Sequence, residues 1–190
     1  MAIKIFIDQG HNPTGYHNTG ASGFGMEEQD ITYTVGLMLA DMLRTDSRFE
    51  VRLSRPTPET VLGTNNSTSL AQRVKAANDW PADYFISIHA NANTNPAVNG
   101  TEVYVYRLGG QADWLAQQVL RGIVEAVGTK KNGVIPRPSL YVLRKTDMPA
   151  ILVELAYLSN ASDAEKLRSD QYLFAQGIYN GILRYFGFMD

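Results

Sequence analysis

Ile3-Lys4-Ile5-Phe6-Ile7-Asp8-Gln9-Gly10-His11 opens the chain, a run of large apolar and β-branched side chains that breaks at a glycine and a histidine. It reads as a buried strand entering a loop, since Asn12-Pro13 follows and cannot continue a strand interior. From Asn12 to Gly25 the loop carries Gly15, Gly20, Gly23 and Gly25 among small polar residues. Ile31, Val35, Met38, Leu39, Met42 and Leu43 then recur at helical spacing, so a helix starts near Glu27 to Asp30.

The same strand-then-helix reading repeats outward from this unit. Phe49–Ser54 alternates as a strand, a Pro/Thr/Asn loop runs over 55–68, and Ser69-Leu70-Ala71-Gln72 has the pattern of a capping box opening a helix. Tyr84–His89 and Thr101–Tyr106 read as strands, and Leu115, Val119, Ile123 and Val127 mark a helix face that Gly128 ends. The basic Gly/Pro stretch 130–138 reads as a loop. Ala150-Ile151-Leu152-Val153-Glu154 is an apolar strand closed by an acid, and Ser162-Asp163-Ala164-Glu165 caps a last helical region with Leu167, Leu173, Ile178 and Ile182. Alternating strands and helices predict an α/β fold: a single domain over residues 1–190 with a mostly parallel sheet flanked by helices.

Composition narrows the function. The 190 residues are 44% hydrophobic and 19% charged, which supports a packed core and argues against disorder. With 17 Lys+Arg against 19 Asp+Glu, the chain lacks the basic excess that nucleic acid would attract. It has no cysteine, so a metal must be held by His, Asp or Glu. No run reaches the roughly 18 apolar residues of a membrane span, and the N-terminal run is too short for a signal peptide's apolar region. A soluble chain is expected, with any export signal removed, not included, or replaced by another route.

In open α/β sheets the chemistry gathers past the carboxyl ends of the strands. Two of the three histidines, His11 and His89, sit there, and Glu154 closes the most apolar strand. Glu27 or Glu28 opens the helix after the glycine loop. Two histidines and a carboxylate that leave one position open form a common catalytic zinc set, and a second glutamate can handle protons. The bland alternatives are a solvated His11, and a Glu154 paired with Arg144 or Lys145. His17, between Tyr16 and Asn18, reads as an exposed loop residue. The glycine loop matches neither phosphate-binding pattern, and neither Ser87 nor Ser159 lies in a nucleophile elbow.

Four ordered segments together resemble the zinc-dependent N-acetylmuramoyl-L-alanine amidases of the type 3 family, found among spore-cortex enzymes, cell-separation enzymes and phage lysins. They are Ile5–His11, in which Gln9 stands where many members have proline; Gly25–Asp30; Ala82–Ala92; and Met148–Asn160. The resemblance covers nearly the whole chain. It implies a sheet of about six strands with flanking helices, zinc held by His11, Glu28 and His89, and Glu154 as the acid/base residue. Glu28 is preferred to Glu27 because the family's Glu-x-Asp pattern falls on Glu28-Gln29-Asp30, and neighbours on a helix point about 100° apart. The substrate so implied is the amide between the lactyl group of N-acetylmuramic acid and L-alanine in peptidoglycan, cleaved outside the cell or in the cell wall.

Asn91 is a candidate for orienting substrate or the metal shell, against the reading of a loop amide that caps backbone groups. Arg144 is a candidate for a peptide carboxylate, against pairing with a surface acid. No separate wall-binding module is visible, so targeting falls to the catalytic surface, a partner, or a segment outside the sequence. Two rival functions remain: a zinc hydrolase for another amide or peptide, and a non-catalytic wall-binding domain.

Overall fold

The computed structural model describes residues 2–189. Strand β1 (Ile3–Gln9) leads through a short antiparallel pair, β2 (Ser22–Gly23) and β3 (Met26–Glu27), to helix α1 (Glu28–Arg44). Then come β4 (Phe49–Leu53), α2 (Asn66–Asp79), β5 (Tyr84–Asn91), β6 (Thr101–Val105) and α3 (Gln111–Val127). The chain closes with β7 (Lys131–Pro136), α4 (Tyr141–Lys145), β8 (Ala150–Tyr157), α5 (Ala161–Ser169) and α6 (Gln171–Tyr185). The six longer strands form one sheet in the order β4-β1-β5-β8-β6-β7, the α/β architecture expected. No described helix is long and apolar enough to cross a membrane.

All pairs in this sheet are parallel except β6 with β8. The exception has a length cause: only residues 92–100 join β5 to β6, whereas a parallel return needs a crossover of about a dozen residues or more. β6 therefore runs back down the sheet, which sets Glu102 opposite Glu154 and Tyr104 opposite Leu152.

Alternation along each strand sorts side chains onto two faces. Ile5, Ile7, Ile86, Ile88, Ile151, Val153, Val103 and Val105 join Val35, Leu39, Val119, Ile123, Phe174 and Ile178 in the main core under α1, α3 and α6. Phe6, Phe85, Leu152 and the half-buried Tyr104 pack with Val74, Ala77, Trp80, Val142 and Leu143 of the α2/α4 side. Phe6 and Phe85 stack with ring centroids 5.8 Å apart. That second face also carries Asp8, Ser87, His89, Glu154 and Glu102, so the polar residues form a strip along its upper end.

Three local expectations change. Helix α2 begins at Asn66, before the Ser69 box, because Asn65 Oδ1 accepts from the Thr68 amide at 2.9 Å and Thr68 Oγ1 accepts from the Asn65 amide at 3.0 Å. Ser69 is buried inside the helix instead. The stretch 130–138 contains the edge strand β7, where Pro136 and Lys131 are tolerated because one side of the strand has no partner. The last helical region is two helices: Asn160 caps α5 by accepting from the Asp163 amide at 3.1 Å, and Asp170 separates it from α6.

Candidate active site and metal centre

His11 follows β1, His89 lies near the end of β5, and Glu28 is the first residue of α1. The β2/β3 turn folds the glycine loop back so that this helix start faces the strand ends. His11 Nε2 and His89 Nδ1 each lie 3.0 Å from Glu28 Oε1 and 3.1 Å from one another. These are the described group of His, Asp or Glu side chains placed to hold a metal ion. Glu27, the residue before the helix, is not among them.

The donor set fits a cation. Asn18 Oδ1 accepts from His11 Nδ1 at 3.1 Å, which leaves the His11 Nε2 lone pair facing the Glu28 carboxylate. Two acceptors at 3.0 Å repel unless a proton or a metal lies between them. The 3.0–3.1 Å spacings also approach the roughly 3.3 Å edge of a tetrahedron with bonds of about 2.0–2.1 Å. Glu28 is buried and further held by the amides of Ala21 at 2.8 Å and Ala90 at 3.1 Å. Burial alone would raise its pKa; with a proton on the imidazole nitrogens that face it, the hydrogen bonds and charge of His11 and His89 outweigh this and hold the carboxyl far below the usual carboxylate range. Room is made by glycine: a Cβ on Gly20, which has φ +83°, would lie 2.5 Å from Glu28 Oε2, and one on Gly10 would lie 2.6 Å from His89 Cε1.

Behind His11 is a buried scaffold that sequence reasoning missed. His11 has φ +71°, a left-handed conformation costly for a residue with a side chain. Its carbonyl accepts from Arg73 at 2.6 Å, and the same guanidinium bonds Gln9 O at 2.6 Å and Asp8 Oδ1 at 2.7 Å. Ser87 donates to Asp8 Oδ2 at 2.8 Å, so its hydroxyl is committed and fully buried. Ser159 accepts from the Asn93 amide. Burial would raise the Asp8 pKa, but Arg73 and Ser87 outweigh it and hold the carboxyl below its ordinary value.

A group whose folded pKa is lowered stabilises the fold above its unfolded value, near 3.9, and that contribution disappears as pH falls through the folded value. Denaturant titrations should therefore show stability declining below about pH 4, with Asp8→Asn lacking that part of the decline. Arg73→Ala, which strands a buried carboxylate, should cost about 3–5 kcal/mol at neutral pH.

Glu154 faces His89 across the β5/β8 ladder. Its Oε2 is shielded from solvent and has no hydrogen-bond partner among the described residues. Neither Arg144 nor Lys145 pairs with it, which removes the bland alternative. Burial first, then the charges of Glu28 and Glu102, push its carboxyl well above the ordinary value. Glu102 is itself buried, accepts from the Tyr157 hydroxyl, and accepts from Asn91 Nδ2 at 3.1 Å. Burial, followed by Glu154 and Glu102, pushes the Tyr104 hydroxyl up to about 12, with Arg137 opposing.

The other named residues are placed as follows. Asn91 is half-buried and turned inward: Nδ2 reaches Glu102 and, at 3.4 Å, the Tyr104 hydroxyl, while Oδ1 caps the Ala92 amide. Arg144 is exposed, donates to Ser139 O at 3.2 Å, and lines a groove of about 450 Å³ with Arg107 and Asp147, apart from the histidines. His17 is half-buried rather than exposed, because its Nε2 lies 3.0 Å from Leu62 O. Glycine spacing revealed nothing of Asn18, Arg73 or Glu102, whose roles depend on partners remote in sequence.

A family described as N-acetylmuramoyl-L-alanine amidase matches residues 5–184. The chain is 38% identical over 188 residues to the amidase CwlM of Bacillus licheniformis, covering 97% of this chain and 69% of that protein. It is 35% identical to LytC of Bacillus subtilis strain 168, covering 96% of this chain but 35% of LytC. Among solved structures, the catalytic domain of CwlV from Bacillus (Paenibacillus) polymyxa var. colistinus superposes with TM-score 0.85 at 33% identity, covering 97% of this chain and 98% of that one. An N-acetylmuramoyl-L-alanine amidase of Clostridium difficile 630 gives 0.86 at 30% identity, covering 98% and 97%.

Proposed function

Because this chain belongs to the N-acetylmuramoyl-L-alanine amidase family, we propose that His11, Glu28 and His89 hold zinc and that Glu154 moves the proton as the muramoyl amide is hydrolysed. The bond cut joins the lactyl carbonyl of N-acetylmuramic acid to L-alanine in peptidoglycan. The substrate places the work in the cell wall or outside the cell, and the chain is read as one catalytic domain over residues 1–190. The observation that supports this is the convergence of three metal-binding side chains beside a shielded, unpartnered carboxylate.

Zinc bound by two imidazoles and a carboxylate supplies Lewis-acid charge, lowering the pKa of water and polarising a carbonyl oxygen. Glu154 accepts the proton of the attacking water at its free Oε2. A carboxylate with raised proton affinity holds that proton until the amide nitrogen begins to leave, then returns it there. The products are a free lactyl carboxylate and the alanine amine, with no covalent enzyme adduct. Asn18 and Glu28 hold the imidazoles, while Arg73 and Asp8 fix the backbone of His11. Asn91 acts on this site through Glu102 and Tyr104, as its inward bonds require.

Digestion of purified peptidoglycan by the zinc-loaded protein tests the reading. New N-terminal L-alanine is expected without new reducing sugar ends, and a strong chelator should abolish the release. New reducing ends would replace the amidase reading with a glycosidase one. Zinc-dependent cleavage of another amide, with no wall type opened, would establish the rival hydrolase.

A further inference from the structure

The face that carries His89 and Glu154 continues past them without a break. Leu152 and Glu154 of β8 are followed across the ladder by Tyr104 and Glu102 of β6. His11 and His89 line one cavity of about 120 Å³ with Leu70, Leu140, Tyr141 and Leu152. Its far wall is built by a turn in which the Leu140 amide donates to Arg137 O at 3.1 Å. The Arg137 guanidinium lies 5.1 Å from the centroid of the Tyr104 ring, and the Tyr104 hydroxyl reaches back to Asn91. Arg137 is exposed, and no carboxylate among the described residues forms an ion pair with it. Tyr104, through its ring face and its hydroxyl, thus preorganises a guanidinium that has donors to spare for an incoming carboxylate.

We infer that Arg137 binds a carboxylate of the peptide stem, so that the site selects stems whose acid lies just beyond the alanine. This rests on the muramoyl-amidase reading. Arg137 follows β7, but its guanidinium rests over Tyr104 of β6, and from β5 to β6 is two strand spacings, about 10 Å. An extended peptide advances about 3.3–3.6 Å per residue. With alanine at the reaction centre, one residue of advance, the branch that carries a carboxylate and the span of an ion pair together cover about this distance, so an acid on the next residue reaches the guanidinium. The carboxylate supplies the planar acceptor that a guanidinium pairs with through two parallel bonds. Arg144, the arginine singled out by sequence, lies in the separate groove and is not placed to do this.

The test uses two synthetic substrates: N-acetylmuramoyl-L-alanyl-γ-D-glutamyl-L-lysine with a free glutamyl α-carboxylate, and the same compound with that group as the amide. Zinc-loaded wild type should favour the acid about tenfold in kcat/KM, the size of one charge-assisted hydrogen bond at a half-open site. Arg137→Gln should lower the acid to the level of the amide, and Arg137→Lys should restore part of the preference. Equal rates for both substrates in wild type, a preference retained in Arg137→Gln, or an equal slowing of both would overturn the assignment. If wild type opens neither compound, the cleavage reading fails. Titration of the acid and amide compounds into the protein then judges Arg137 separately: tighter binding of the acid, lost in Arg137→Gln, supports it, and equal binding overturns it.

Discussion

Glu154→Gln should leave zinc content, far-UV circular dichroism and unfolding midpoint close to wild type and lower turnover on a muropeptide by about 10²–10⁴-fold, the usual contribution of a positioned acid/base group. The substitution keeps size and shape but removes the ability to accept a proton. Stability is expected to hold because the native carboxylate has no compensating bond to lose: Oε2 is unpartnered, and two neighbouring carboxylates repel it. A neutral amide on this strand relieves that repulsion. A variant as fast as wild type would transfer the role to another group, and a variant that lost zinc would make Glu154 part of the metal site.

The second large effect concerns the ligands. His11→Ala, His89→Ala and Glu28→Ala should each weaken zinc binding by more than the roughly 10–100-fold that loss of an outer hydrogen-bond partner costs, measured by equilibrium dialysis and metal analysis. Glu27→Ala and His17→Ala should retain zinc. Glu27 precedes the helix outside the cluster, and His17 is tied to Leu62 O, a bond whose loss costs about 1 kcal/mol of stability. Wild type should also melt higher with zinc, because a ligand that binds only the native state adds about 4 kcal/mol at a thousandfold excess over its Kd. If Glu27→Ala lost zinc and Glu28→Ala kept it, the proposed ligand would move by one residue. Equal loss in all five variants, with loss of near-UV signal, would indicate unfolding instead.

Much of this protein was legible along the chain. Apolar runs such as Ile5–Ile7 and Ala150–Val153 identify buried strands because both faces of a parallel sheet are covered, so successive positions are apolar. A histidine or glutamate that interrupts or ends such a run then stands out, which is how His11, His89 and Glu154 were found. Glu28 needed more: two adjacent acids stand where α1 begins, resemblance favours the second, and the start of the helix at Glu28 places it against both imidazoles.

Tertiary structure alone decided the rest, because periodicity reports that a side chain is buried but not what it meets. Asp8 and Arg73 are 65 positions apart, and neither has a local pattern that announces the pair or its hold on His11. Lys131–Pro136 looks like a loop by composition and becomes a strand because β6 offers it an open edge. Glu102 reads as an ordinary alternating strand residue until the short 92–100 connection turns β6 antiparallel and sets it opposite Glu154. The proton-handling environment and the line from the metal centre to Arg137 both follow from that register, which is fixed by loop length and packing across the whole sheet rather than by any segment's own composition.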